Sequence, residues 1–327
     1  MRAGRALAAA VTGAAGASLL ERALVRRWQV GADGLAAAGL TMPATVEHHF
    51  VTTSDGGRIH VVETGQGPPI VLLHGITLGV GVWVRQLRAL SRRHRVVAIA
   101  WRGHGQSIAG SGGYRFERLA DDLLEVAAAR QLRGAVVVGH SMGGMVLQLA
   151  ALERAQQLAS WAVGLALVAT DAGPVVPGPL GRPVGLATAH LAGRAARFAE
   201  RRGKGVYPGS DLATWGARLS FGARPRPADV ELVRSISTSV SPRAMAGLLP
   251  ELAAFDVRVR LDQIGLPTLI VVGSRDLLTP AGRSAAMARR IPGARLEVLA
   301  GCGHLVMLER PQLLCGLLEG FSAQLAG

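Results

Sequence analysis

Ala135-Val136-Val137-Val138-Gly139-His140-Ser141-Met142-Gly143-Gly144 decides how this chain is read. Four apolar residues without a polar interruption suit a strand buried on both faces of a parallel sheet. The apolar spacing of Met145 to Glu153 is helical, so the segment between turns a strand sharply into a helix beginning near Gly144. In such a G-x-S-x-G turn the serine backbone is strained, and side chains in place of the glycines would collide with the neighbouring strand and helix. Ser141 is thereby pushed out at the carboxyl edge of the sheet, where open α/β sheets place their chemistry.

Similar runs lie on either side. Ile70 to Leu73, Val96 to Ala100, Val163 to Ala169, Leu269 to Val272 and Leu296 to Leu299 read as further strands, and Phe50 to Thr53 with Ile59 to Glu63 as an opening hairpin around Ser54 to Gly57. Val82 to Leu90, Phe116 to Arg130 and Pro311 to Leu318 read as helices between or after them. Strand alternating with helix predicts an α/β fold with a mostly parallel central sheet flanked by helices. The rhythm stops between Asp171 and about Pro250. Some 80 residues there are too many for a loop and carry no strong strand, so residues 171–250 are expected to form a helical cap inserted into a core of residues 46–170 and 251–327.

Hydrophobic residues make up 49% of the 327 and charged residues 18%, which excludes a chain disordered over most of its length. A net charge of +14 would suit nucleic acid if it lay in one stripe, but the arginines are scattered singly or in pairs, and no nucleic-acid motif is present. Cys302 and Cys315 are too few for a disulfide framework and lack zinc-site spacing, and no residue cluster calls for a metal or an organic cofactor.

A serine hydroxyl needs a base to take its proton and, behind the base, an acid to hold the imidazole. Among nine histidines His304 has the best setting, in Ala300-Gly301-Cys302-Gly303-His304 between the last strand and the last helix. His140 is expected to support the turn. Asp276, in Gly273-Ser274-Arg275-Asp276 just beyond a strand and 28 residues before His304, is the expected acid, with Asp171 as the fallback. For an oxyanion the backbone N–H groups of Met142, at the start of its helix, and of Ile76, after His74-Gly75, are the expected donors.

His74-Gly75, Trp101 to Ser107, Gly139 to Gly144, Gly273 to Asp276 and Gly303-His304 occur in an order and at spacings that resemble the α/β-hydrolase superfamily, in its cap-bearing serine esterase or lipase-like branch, over residues 46–327. The resemblance implies the α/β-hydrolase fold and a carboxylic ester hydrolase acting through an acyl-enzyme on Ser141, with no cofactor. It also implies that Arg102 to Ser107 is mostly scaffold. Relatives with an aspartate at the elbow act on epoxides or carbon–halogen bonds, and a serine here disfavours both. Thioesterase, lactonase, carbon–carbon bond hydrolase and perhydrolase chemistry remain open, as does a non-catalytic ligand-binding member of the fold. Leu180, Leu186, Leu191, Phe198, Trp215, Leu219 and Phe221 in the cap lead us to expect a small apolar ester or acyl substrate.

Residues 1–45 depart from this pattern. An uncharged stretch from Ala6 to Leu20, rich in alanine and glycine, is flanked by arginines and is short for a membrane span. A packed helix, a membrane-surface anchor and a signal peptide all fit it. The compartment expected is cytoplasmic, with membrane association through residues 1–45 as the alternative and secretion disfavoured. Oligomeric state is not legible.

Overall fold

In the computed structural model, which describes residues 25, 28, 30–174, 181–202 and 210–326, the alternating runs form one eight-stranded sheet. In chain order the first part comprises α1 (Ala32–Ala37), β1 (Glu47–Thr52), β2 (Arg58–Thr64), β3 (Pro69–Leu73), α2 (Val84–Leu90), β4 (Arg95–Ile99), α3 (Phe116–Ala129) and β5 (Ala135–His140). Then come α4 (Met142–Glu153), α5 (Ala155–Ala159), β6 (Ala162–Val168), α6 (Gly181–Arg201), α7 (Ser210–Leu219), α8 (Pro227–Thr238) and α9 (Pro242–Ala254). The chain closes with β7 (Thr268–Gly273), α10 (Ala281–Arg290), β8 (Arg295–Leu299), α11 (Val306–Glu309) and α12 (Pro311–Ala326). The strand order is β1-β2-β4-β3-β5-β6-β7-β8; β2 runs against both of its neighbours and every later pair is parallel.

Alternate residues of each strand enter opposite cores because side chains alternate with period two. Val71, Val97, Val137, Leu165 and Ile270 pack with Leu119 and Leu123 of α3 and Val146 of α4. Their neighbours Ile70, Val96, Val136, Ala166 and Leu269 pack on the other face with Leu87 and Leu90 of α2 and Leu314 and Leu318 of α12. Both sheet faces are thus dry, which is why the strands read as unbroken apolar runs.

A buried ion network anchors the loop after β4. The Arg102 guanidinium is fully buried, donates from Nε and Nη2 to the two carboxylate oxygens of Asp122 at 2.7 Å, and pairs with Asp55 at 2.9 Å. Trp101 donates through Nε1 to the His74 carbonyl at 2.8 Å and through its backbone N–H to His74 Nε2 at 3.1 Å. The loop after β3, which carries Ile76, is therefore held by the loop after β4.

Between β6 and β7 the described residues are helical, in α6 to α9. Small residues bring α6 against α9: a methyl built on Gly193 would meet the Ala246 carbonyl at 3.2 Å. Of the large apolar residues expected in the cap, Leu180 lies outside the described residues and Leu186 and Trp215 are half-buried. Leu191, Phe198 and Leu219 are exposed, whereas Phe221 is buried. Preceding the sheet, Leu35 of α1 and Met42 pack against the core on the α2 face, and Arg218 lies over the Trp28 ring at 5.6 Å. The Ala6 to Leu20 stretch lies outside the described residues. Among those residues no helix is long and apolar enough to cross a membrane.

Candidate active site

Backbone crowding places Ser141. It sits between β5 and α4 at φ 52°, ψ −121°, a left-handed conformation that is costly for any residue with a side chain. Its N–H donates to the Val168 carbonyl at 3.0 Å, and the Thr170 hydroxyl donates to the Ser141 carbonyl at 2.7 Å, so β6 holds the turn from outside. A methyl on Gly139 would stand 2.6 Å from the Gly143 carbonyl oxygen, and one on Gly143 would stand 2.6 Å from the Leu73 carbonyl oxygen. Only hydrogen fits at either place. The second contact also brings the start of α4 against the end of β3, and a methyl on Gly75 would stand 3.2 Å from Ser141 Cβ, so the loop carrying Ile76 passes beside the serine. Met142 opens its helix, where the first-turn N–H groups lack intrahelical partners.

Asp276 and His304 come from two loops tied together. Arg275 N–H donates to the Cys302 carbonyl at 2.8 Å, and Gly301 N–H donates to the Ser274 hydroxyl at 2.9 Å. Across this junction His304 Nδ1 donates to Asp276 Oδ2 at 2.9 Å; both side chains are buried. Asp276 Oδ1 accepts the N–H groups of Leu278 and Thr279 at 2.8 Å each. Burial pulls the Asp276 carboxyl upward, but the His304 ring and the Thr279 donors outweigh it and hold the group below its ordinary range. The acid stays ionised and fixes the tautomer with the proton on Nδ1, leaving Nε2 as the basic nitrogen.

Three residues that the sequence did not single out, or gave only a supporting part, complete the site. Thr279 donates its hydroxyl proton to Asp276 Oδ2 at 2.7 Å, and its oxygen lies 3.3 Å from His304 Nδ1, a second acceptor for the same N–H. The His140 ring packs at 4.7 Å on the His304 ring and donates from Nε2 to the His304 carbonyl at 3.0 Å. Burial, with His304 close by, lowers the His140 pKa to about 3, so the imidazole beside Ser141 is neutral. Glu309 accepts Gly303 N–H at 2.8 Å and Gly222 N–H at 2.9 Å, and His304 N–H donates to the Ser220 carbonyl at 2.8 Å, which fastens the histidine loop to the end of the helical insertion. Residues 25 positions apart, such as Thr279 and His304, give no sequence signal for such contacts.

Asp171, the fallback acid, is engaged elsewhere. It accepts the Ala172 N–H at 2.7 Å and pairs with Arg283. A cleft of about 820 Å³ opens there between Arg258, Arg283 and Arg290, away from Ser141. His104 lies beneath the site, its Nε2 against the Ile76 carbonyl. Among the described residues no group of three or more His, Cys, Asp or Glu is arranged to hold a metal ion.

Ser141 and Thr279 open into one cavity of about 390 Å³. Ile76 and Met145 form its core side. Gly185, Ala189 and Ala192 of α6 and Leu249 and Leu252 of α9 form the other. The wall is mainly apolar and is supplied by small residues of α6 and leucines of α9; Leu191 and Phe198 are exposed because the narrow face of α6 is the one that fits against α9, and Leu219 of α7 is exposed as well.

A parallel sheet with a strained serine at the tip of its central strand, and a carboxylate–imidazole pair on the loops after β7 and β8 at the same sheet edge, is the layout of a hydrolase scaffold. A family model for the alpha/beta hydrolase fold matches residues 68–311, and the chain belongs to that family. It is 31% identical over 265 residues to the pimeloyl-[acyl-carrier protein] methyl ester esterase of Nitrosomonas europaea, covering 78% of this chain and 95% of the relative. It is also 31% identical to a non-heme haloperoxidase of Rhodococcus erythropolis, over 78% of this chain and 92% of the relative. The crystal structure of a hydrolase from Pseudomonas aeruginosa superposes with a TM-score of 0.71 at 30% identity, over 84% of this chain and 98% of that one.

Proposed function

We propose that this chain is a serine hydrolase of carboxylic esters, with Ser141 as nucleophile, His304 as base and then acid, and Asp276 as the orienting acid. The observation that carries the reading is the cavity wall, where Ser141 shares one apolar space with Thr279, the residue hydrogen-bonded to both members of the Asp276–His304 pair. The methyl ester esterase relative supports the choice of an ester.

In this mechanism an ester enters with its apolar part against α6 and α9, which form the cap over the site. Ser141 Oγ attacks the carbonyl carbon while its proton passes to His304 Nε2. The backbone N–H groups of Met142 and Ile76 stabilise the oxyanion. Collapse breaks the ester C–O bond, and the alcohol leaves with the proton from His304. Water then loses a proton to His304 and attacks the acyl-enzyme, which releases the carboxylic acid and restores Ser141. Asp276 remains ionised throughout and stabilises the imidazolium.

Hydrolysis of p-nitrophenyl butyrate tests this. Ser141→Ala is expected to lower kcat/KM by about 10⁴-fold or more with the fold intact. Unchanged turnover would remove Ser141 from the mechanism.

The haloperoxidase relative favours a second reading, in which hydrogen peroxide takes the place of water at the acyl-enzyme. Peroxide-dependent bromination in acetate buffer that disappears in Ser141→Ala would support it; bromination that survives the substitution would not.

A further inference from the structure

The cavity holding Ser141 has two lips, and both carry exposed apolar side chains beside arginines. On the α6 lip, Leu191 is 67% exposed and Phe198 is 57% exposed. Seven residues apart on one helix, they lie on the same face, with Ala187 and Ala195 also exposed along it. Arg194, Arg201 and Arg202 are exposed on the same helix, and the Arg202 guanidinium sits over the Phe198 ring at 4.4 Å. On the opposite lip, in the loop after β7, Leu277 is 76% exposed next to Leu278, which lines the cavity, and Arg275 is exposed two residues before. Scattered single leucines on a surface need no explanation. Exposed leucine beside arginine on both of the segments that flank one cavity, with a phenylalanine on one of them, does.

We infer that this rim docks on the surface of an anionic phospholipid membrane, so that the cavity takes its substrate, an ester with a long apolar chain, from the lipid side. The charge argues for lipid over a second copy of the chain: with 36 basic and 22 acidic residues the protein repels its own kind and is drawn to an anionic surface. Leucine and phenylalanine side chains enter the acyl boundary, while arginines beside them stay at the level of the headgroup phosphates. The cavity fits this orientation. Gly185, Ala189 and Ala192 of α6 and Leu278 of the loop after β7 line it, so a membrane seated on both segments lies beside the cavity. What the bound lipid is for rests on the ester-hydrolase reading; the docking itself does not.

Flotation of the full-length chain with vesicles tests it. Binding to vesicles of equal phosphatidylglycerol and phosphatidylcholine is expected to be at least about tenfold stronger than to phosphatidylcholine alone, and to weaken in 0.5 M salt, which screens the arginines. Leu191→Ser combined with Phe198→Ser leaves the charge unchanged and is expected to weaken partitioning by about thirtyfold. Leu277→Ser is expected to weaken it by about fivefold. Circular dichroism and turnover of p-nitrophenyl butyrate by the same variants, both expected unchanged, verify folding. Vesicle binding that is absent in the wild type, or equal in wild type and double variant, overturns the inference. So does sedimentation without lipid showing a dimer that the double variant loses, since the face would then belong to a second copy. The two readings fail separately: loss of hydrolysis in Ser141→Ala without vesicle binding removes only the docking, and vesicle binding with hydrolysis that survives Ser141→Ala removes only the catalytic assignment.

Discussion

A methyl group added at Gly139, beside the elbow, would stand 2.6 Å from a backbone oxygen; one added at Gly216, in the middle of α7, would meet nothing within 4 Å. The core end of the site is held by backbone against backbone and by buried polar groups with fixed partners. In the helical insertion α6 meets α9 through small residues, and Leu191, Phe198 and Leu219 are left outside. Close positioning of Ser141 and looser packing around the cavity therefore belong to different parts of the chain, and substitutions can test that division.

The largest effect on stability is expected at Arg102. Arg102→Met leaves Asp122 buried without its main partner and should lower unfolding free energy by about 3–5 kcal/mol in urea denaturation. The same variant should change the acid response. The Arg102 guanidinium beside Asp55 holds that carboxyl well below the usual carboxylate range. A carboxylate whose pKa is lowered by folding contributes stability that is fully present above its unfolded pKa of about 4 and is lost as pH falls below it. Wild-type stability should thus fall from about pH 5 downward, and Asp55→Asn should make that fall shallower. A slope unchanged in Asp55→Asn would mean that other carboxylates carry it.

At the elbow, Gly139→Ala should cost about 1–3 kcal/mol, because backbone must shift to admit the methyl, and should lower kcat by moving Ser141. A variant with normal stability and turnover would show that the turn yields more easily than its contacts imply. Thr279→Val keeps the shape but removes the donor to Asp276 and the acceptor near His304 Nδ1. It should lower kcat about tenfold with KM nearly constant, whereas a change in KM alone would make Thr279 a cavity wall and no more. Smallest is Gly216→Ala, expected to raise stability by up to about 1 kcal/mol in the open helix position. A loss there would mean that the insertion is packed as tightly as the core.

Sheet and elbow were legible because their constraints are local. Val136 to Val138 had to be apolar on both faces and Gly139 and Gly143 had to be glycine, so the primary structure alone marks them. Boundaries were less so: β5 runs on through His140, α4 starts at Met142 because the turn is a single residue, and α12 continues past Gly316 and Gly320 to Ala326. Residues 80–83 form a 3₁₀ turn ahead of α2, a distinction that apolar spacing does not make. The pairing of Asp276 with His304, and of Asp171 with Arg283, depends on which loops meet at the sheet edge, and the order of motifs only narrowed it. Thr279 and Glu309 were invisible because their partners lie on other loops. In the insertion, size misled: Leu191 and Phe198 read in sequence as cap core or cavity wall, but both are exposed and the helix turns its small residues inward.

Labelling with a fluorophosphonate, followed by mass-spectrometric mapping of the adduct, asks whether the His304–Asp276 pair makes Ser141 nucleophilic. A single adduct on Ser141 is expected, formed at least about 10³-fold more slowly in His304→Ala. An adduct at another residue, or labelling of Ser141 at the same rate without the imidazole, would contradict it.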